Sequence, residues 1–207
     1  MKIALCALMV IAASMSMFAQ MSPAPKSIVS PVPTPVITEK VILETSKGTI
    51  VIGLYGKDAP KTAANFSGLA AKNFYKDILF HRIVPGFVIQ AGDPNTKDAS
   101  LKAQWGSGGE SIYGGQFADE LNPETPSYKV GYARGVVAMA NAGPNTNTSQ
   151  FFVCLADLGS LPKAYTMFGK VLKGMEVVDA IAAAPNTGSV PNEPIKILSC
   201  KVEKVKK

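Results

Sequence analysis

With 207 residues, 47% hydrophobic and 17% charged, the chain suits one compact domain plus extensions and is too apolar and too sparsely charged for global disorder. The formal net charge of +6 is partly a basic tail, because five lysines fall between Lys196 and Lys207. The remaining lysines are scattered rather than gathered on a face with stacking aromatics, which argues for a solvated basic surface and against nucleic acid as a partner.

In chain order, Lys2 precedes an apolar stretch from Ile3 to about Ala13, followed by small and polar residues through Gln20. This charged start, short apolar run and small-residue zone read as a secretory signal peptide over residues 1–20, with cleavage after Ser16 or Ala19. A membrane span needs about 20 apolar residues, and this stretch is short and broken by serines. We therefore expect an exported protein, periplasmic or secreted, with no stable membrane span after cleavage. Residues 21–38 form a linker carrying Pro23, Pro25, Pro31, Pro33 and Pro35. Such a segment favours extended polyproline II and cannot build a packed core, so it reads as a tether. A ligand for a proline-reading module is the alternative.

The domain is expected over residues 39–207. Val41–Glu44 and Thr49–Tyr55 are β-rich runs separated by Ser-Lys-Gly, a hairpin pattern. Asp58 and Pro60 signal a helix start, and Phe66, Leu69 and Ala70 give its apolar stripe. Strands are predicted at Phe80–Val84 and Phe87–Ala91, bent apart by Pro85-Gly86. Residues 92–131 are rich in loop glycines and hold the single tryptophan, Trp105; a long loop inside a compact domain is usually functional surface. Gly135–Ala140, Gln150–Leu155 and Thr166–Leu172 continue the strands. Met175, Val178, Ile181 and Ala182 mark a second helix, and Ile195–Val205 a last strand. The expectation is a mainly β fold, a closed antiparallel barrel with two helices over its ends, since closure removes exposed edges.

Several chemistries are disfavoured. The one histidine, His81, has no G-x-S-x-G partner for a hydrolase triad. One histidine with separated cysteines gives no metal-ligand cluster. Gly106-Ser107-Gly108-Gly109 lacks the Gly-Lys-Ser/Thr of a phosphate cradle. Without the leader, Cys154 and Cys200 remain; they could pair in an oxidising compartment, but as small buried hydrophobes they need no partner.

Arg82 stands out inside the apolar run FHRIVPGFVIQAGD. Alternation puts it on one face with Phe80 and Val84, and a charge in an apolar wall is costly unless something uses it. By itself it could simply pair with an acid or snorkel to the surface. Gln90, Asn141 and Gln150 fall in the same class of strands and edges, interleaved with Phe87, Val88, Phe152 and Leu161. Together these residues suggest an apolar pocket with a polar rim and one fixed cation.

From about Val41 to Val205 the chain resembles a cyclophilin. The motifs that carry the resemblance are FHRIVPGFVIQAGD, GSGGESIYG, FADE, GVVAMANAGPNTNTSQFFV and MFGKVLKGMEVVDAI. It implies an eight-stranded barrel with two capping helices and cis/trans isomerisation of X-Pro bonds in proline-containing polypeptides, without a cofactor. By position, Arg82 matches the catalytic arginine. Phe87, Val88, Phe152, Leu161 and Tyr165 match the walls of the proline pocket. Gln90, Asn141 and Gln150 match groups that hydrogen-bond the substrate backbone, and Gly106 and Ala140 match further groove-lining positions. Two positions depart from many eukaryotic members: Ser160 stands where they have a tryptophan and Tyr165 where they have a histidine. Both resemble bacterial members and weaken the expectation of tight cyclosporin binding. The expected enzyme is a monomer assisting the folding of exported proteins; the alternative is a module that holds proline peptides with little turnover.

Overall fold

Glu39–Thr45 (β1) and Gly48–Leu54 (β2) pair in antiparallel register from Glu39 opposite Leu54 to Thr45 opposite Gly48, the hairpin that the Ser-Lys-Gly break predicts. Val41, Leu43, Ile50, Ile52 and Leu54 are all buried on one side of this hairpin, as period-2 alternation requires. The computed structural model describes residues 32–205, so the leader, the start of the linker, Cys6 and the last two lysines lie outside the described residues. Thr38 is already tied to the sheet: its N–H donates to Leu54 O at 3.0 Å and its hydroxyl oxygen accepts from Gly56 N–H at 3.2 Å.

Pro60–Ala71 form α1, with proline in the first turn, where no N–H is needed. Its N-cap residue, Ala59, offers no side-chain acceptor. Glu120, 59 residues beyond Lys61, does so instead: its carboxylate accepts from Lys61 N–H at 3.1 Å, Thr62 N–H at 2.8 Å and the Thr62 hydroxyl at 2.8 Å. Phe66, Leu69 and Ala70 are buried, as the apolar stripe predicts.

Arg82–Val84 (β3) and Val88–Ala91 (β4) form a second hairpin, turned at Gly86, whose φ of 72° suits glycine. The long loop then contains two 3-10 turns, Pro94–Lys97 and Ala99–Gln104, and a short helix, Pro126–Val130 (α2). Trp105 closes the second turn, its indole N–H donating to Asp98 O at 3.3 Å, so it anchors the loop to itself. Val136–Met139 (β5), Phe151–Cys154 (β6) and Met167–Lys173 (β7) follow, then Met175–Ala182 (α3). A small ribbon, Asn186–Thr187 (β8) with Val190–Pro191 (β9), precedes Ile197–Lys204 (β10).

Eight strands make one antiparallel sheet in the order β10-β1-β2-β7-β5-β6-β4-β3. The expected full closure is not how its ends pair. β3 is three residues long, and Ile83 N–H donates to Ser189 O of the β8–β9 connection at 2.7 Å. The chain just before β3 meets the start of β10 and the residues leading into it: Asp77 N–H donates to Ile197 O at 2.8 Å and Phe80 N–H to Ile195 O at 2.9 Å. The architecture is a half-barrel whose ends are bridged by irregular chain.

This irregularity corrects one expectation. Phe80 does not share a face with Arg82, because residues 79–81 lie outside the strand and its alternation. Phe80 is buried in the main core with Ile83, while Arg82 is exposed. The costly buried charge that the apolar run suggested is therefore a solvated one.

β5 and β6 read as unbroken apolar runs because both faces of the sheet are covered here, whereas β4 is interrupted by Gln90. Ile89, Val137, Met139, Phe151 and Val153 point into the main core. Val88, Val136, Ala138, Phe152 and Cys154 point the other way, into a second cluster with Tyr132 and Met167. Cys154 and Cys200 are both free, and burial pushes each thiol up to about 12.

Candidate active site

The second apolar cluster is the floor of the site. Over it lies a cavity of about 240 Å³ lined by Phe87, Val88, Phe152, Leu161 and Tyr165, with Arg82, Gln90, Ala140 and Asn141 completing the wall. Phe152 and Tyr165 meet edge to face, ring centroids 5.6 Å apart, which fixes two walls at right angles. A second cavity of about 550 Å³ adjoins it, sharing Gln90, Ala140 and Asn141 and adding Gly106 and Gln150. All eleven site residues read from the sequence thus gather around two joined compartments. A roomier groove of about 640 Å³ lies along α1, but it is lined mainly by small side chains such as Ala63, Ala64, Ser67 and Gly68 and gathers no comparable set of groups.

Arg82 faces Gln90 across the β3–β4 ladder, and its Nη1 donates to Gln90 Oε1 at 3.4 Å. The ion pairs among the described residues are Lys129–Glu124, Arg134–Asp179 and Lys201–Glu203, so Arg82 has no carboxylate partner there. Gln90 Nε2 in turn donates to Gln150 Oε1 at 2.9 Å. Gln150 Nε2 donates to Gly106 O at 2.9 Å and Gly108 O at 2.6 Å. A chain of amides therefore runs from the guanidinium to the glycine loop, and it orders both. Asn141 is also engaged: its Nδ2 donates to Ala164 O at 2.9 Å, holding the Ala140–Asn141 edge against the Leu161–Tyr165 loop.

Three contributors were not foreseen. The buried carboxylate of Asp93 accepts from the N–H groups of Gly106, Gly108 and Asn95, and so pins the glycine loop beside Gln150. Its only sequence signal is an acid between the end of β4 and Pro94. Tyr132 braces the opposite wall: its hydroxyl donates to Tyr165 O and accepts from Tyr165 N–H, both at 2.9 Å. Burial pushes the Tyr132 phenol up to about 12, so it stays neutral in both roles. Gly92 lets β4 approach β6, because a Cβ there, at φ 102°, would collide with the Ser149 carbonyl beside Gln150.

An apolar pocket, one unpaired cation and a rim of fixed amides, with no cluster of His, Cys, Asp or Glu able to hold a metal ion among the described residues, can hold a small ring and donate hydrogen bonds to it. Comparison with known proteins supplies the family. Residues 40–202 match the family described as cyclophilin-type peptidyl-prolyl cis-trans isomerase/CLD. The chain belongs to the cyclophilin-type peptidyl-prolyl cis-trans isomerases. This cyclophilin is 43% identical over 164 residues to a peptidyl-prolyl cis-trans isomerase of Arabidopsis thaliana, covering 79% of the chain and 93% of that relative. It is 45% identical over 159 residues to peptidyl-prolyl cis-trans isomerase-like 1 of Mus musculus, covering 76% and 89%. A solved cyclophilin of Cryptosporidium parvum superposes with a TM-score of 0.71 at 35% identity, covering 83% of this chain and all of that one. The same parasite protein has been solved in the presence of the dipeptide Ala-Pro, with a TM-score of 0.69. These relatives are eukaryotic, unlike the bacterial kinship that Ser160 and Tyr165 suggested.

Proposed function

We propose that this isomerase holds the proline ring in the cavity walled by Phe87, Val88, Phe152, Leu161 and Tyr165, and that Arg82 stabilises the twisted X-Pro bond. The observation that carries this reading is an exposed guanidinium, free of any carboxylate among the described residues, on the rim of that cavity. Resonance gives the peptide C–N bond partial double-bond character and a rotation barrier of about 18–20 kcal/mol. As the bond twists, the lone pair returns to a pyramidal prolyl nitrogen. A guanidinium donor meets that lone pair in the twisted state and finds no such acceptor in either planar ground state, and this difference is what accelerates the reaction. Lowering the barrier by about 6–7 kcal/mol corresponds to roughly 10⁵-fold. The Gln90–Gln150 chain, Gly106, Ala140 and Asn141 hold one flank of the substrate while the other rotates. No nucleophile, general base or cofactor enters.

In an isomerisation assay, Arg82→Ala is expected to lower kcat/KM by about 10²–10³-fold, the loss of one transition-state donor. Arg82→Lys is expected to lose most of the same activity, because an ammonium lacks the planar donor fork. Variants as fast as wild type would sink this role for Arg82.

The enzyme's setting is outside the cytoplasm, periplasmic or secreted, where slow X-Pro bonds limit the folding of exported chains. The leader-like residues 1–20 and the proline-rich tether 21–38 before a domain at 39–207 support this reading. No helix among the described residues is long and apolar enough to cross a membrane. N-terminal sequencing of the protein made in cells is expected to start at Met17 or Gln20. Recovery from the cytoplasm with Met1 intact would overturn export.

A further inference from the structure

We infer that the substrate groove continues past Leu161 into an apolar subsite for a bulky side chain two residues from the proline, on the flank away from the Gly106–Gly109 loop. The inference rests on the reading of the 240 Å³ cavity as the proline site.

A further cavity of about 300 Å³ adjoins that site, and Leu161 lines both. Tyr132 lines the new cavity, and its ring lies 6.4 Å from Phe152 and 6.3 Å from Tyr165, two walls of the proline site. One aromatic side chain therefore braces both compartments, and the one lining residue they share is Leu161. Beside that leucine, Ser160 is exposed and ends at a hydroxyl, so it adds little height there.

The two charged residues of the new cavity are already engaged. Asp157 accepts from Arg134 N–H at 2.8 Å. Lys163 donates to the Tyr128 carbonyl, and its ammonium sits 4.2 Å from the centroid of the Tyr128 ring. What remains facing inward is Val130, Ala133, Leu158 and Leu161, with the Tyr132 ring. Val130 is 38% exposed, a β-branched apolar side chain in the last turn of α2 with little cover. The continuity with the proline site identifies the occupant as the substrate itself. In an extended peptide, side chains two positions apart project from the same face about 6–7 Å apart, which suits neighbouring compartments sharing one wall residue.

The test is an isomerisation assay on an all-alanine peptide with one central proline and on its variants carrying a single Leu or Phe at each flanking position. Wild type is expected to show about tenfold higher kcat/KM when Leu or Phe lies two residues from the proline on one flank only, the size of effect a hydrophobic pocket gives. Val130→Asp, at an exposed position, is expected to bring that ratio close to one, and Val130→Leu to preserve it. Turnover of the all-alanine peptide reports that each variant is folded. Equal rates for all peptides, or a preference untouched by Val130→Asp, overturn the subsite. Failure of wild type to turn over the all-alanine peptide overturns the proline-site reading instead.

Discussion

His81 and Arg82 are chain neighbours with opposite surroundings. Arg82 reaches solvent, whereas His81 is buried and neither of its ring nitrogens has a hydrogen-bond partner. Burial lowers the His81 pKa below its usual 6.5, with Arg82 adding to the effect and the nearby Asp93 carboxylate and the Leu79 backbone opposing it. The unfolded chain then binds a proton near pH 6.5 that the folded chain declines. Stability is therefore expected to be full above that pH, to fall as the pH drops through it, and to level off below the folded pKa. Denaturant midpoints measured from pH 8 to 5 should show a shallower decline for His81→Gln than for wild type; identical slopes would assign the pH dependence to other groups. The sequence made Arg82 conspicuous because a charge interrupted an apolar run, though its cost there was misjudged. Asp93 and Tyr132 stayed hidden because each acts through a loop that its neighbours in sequence do not reveal.

At the level of elements, α1 shows how a motif can be recognised without its purpose being visible. FADE was read only as part of a resemblance, yet its Glu120 supplies the acceptors that Ala59 cannot give to the first turn of α1. A carboxylate there also meets the positive end of the helix dipole. Glu120→Ala is expected to cost about 1–3 kcal/mol of stability, read from denaturant midpoints. A change within about 0.5 kcal/mol, the level of an ordinary surface substitution, would show that water caps the helix equally well. Strands β1 and β2 were legible as β-branched runs on either side of Ser-Lys-Gly. β5 and β6 were legible as strands but not as to which face served the site, because VVAM and FFVC are apolar on both sides.

Across the whole molecule, the strands of the main sheet and both long helices could be read from the sequence pattern, while the β8–β9 ribbon and the manner of closure could not. Periodicity reports which residues face a core; it does not report which edges meet. Here the three-residue β3 gives an edge to Ser189, and the irregular residues 77–80 take over the contact with Ile195 and Ile197. Leu161 and Ser160 were likewise visible as residues, but the compartment beyond them depends on α2 and Tyr132 arriving from thirty residues upstream. The pairing of β1 with β10, Glu39 opposite Lys204, has a consequence for synthesis. A chain still attached to the ribosome short of Ile197 has β1 with one side unpaired and residues 77–80 without their acceptors. Such distant pairings are slow to form because loop closure comes before any gain. A catalyst of X-Pro isomerisation therefore completes its own sheet only when its last strand has been made.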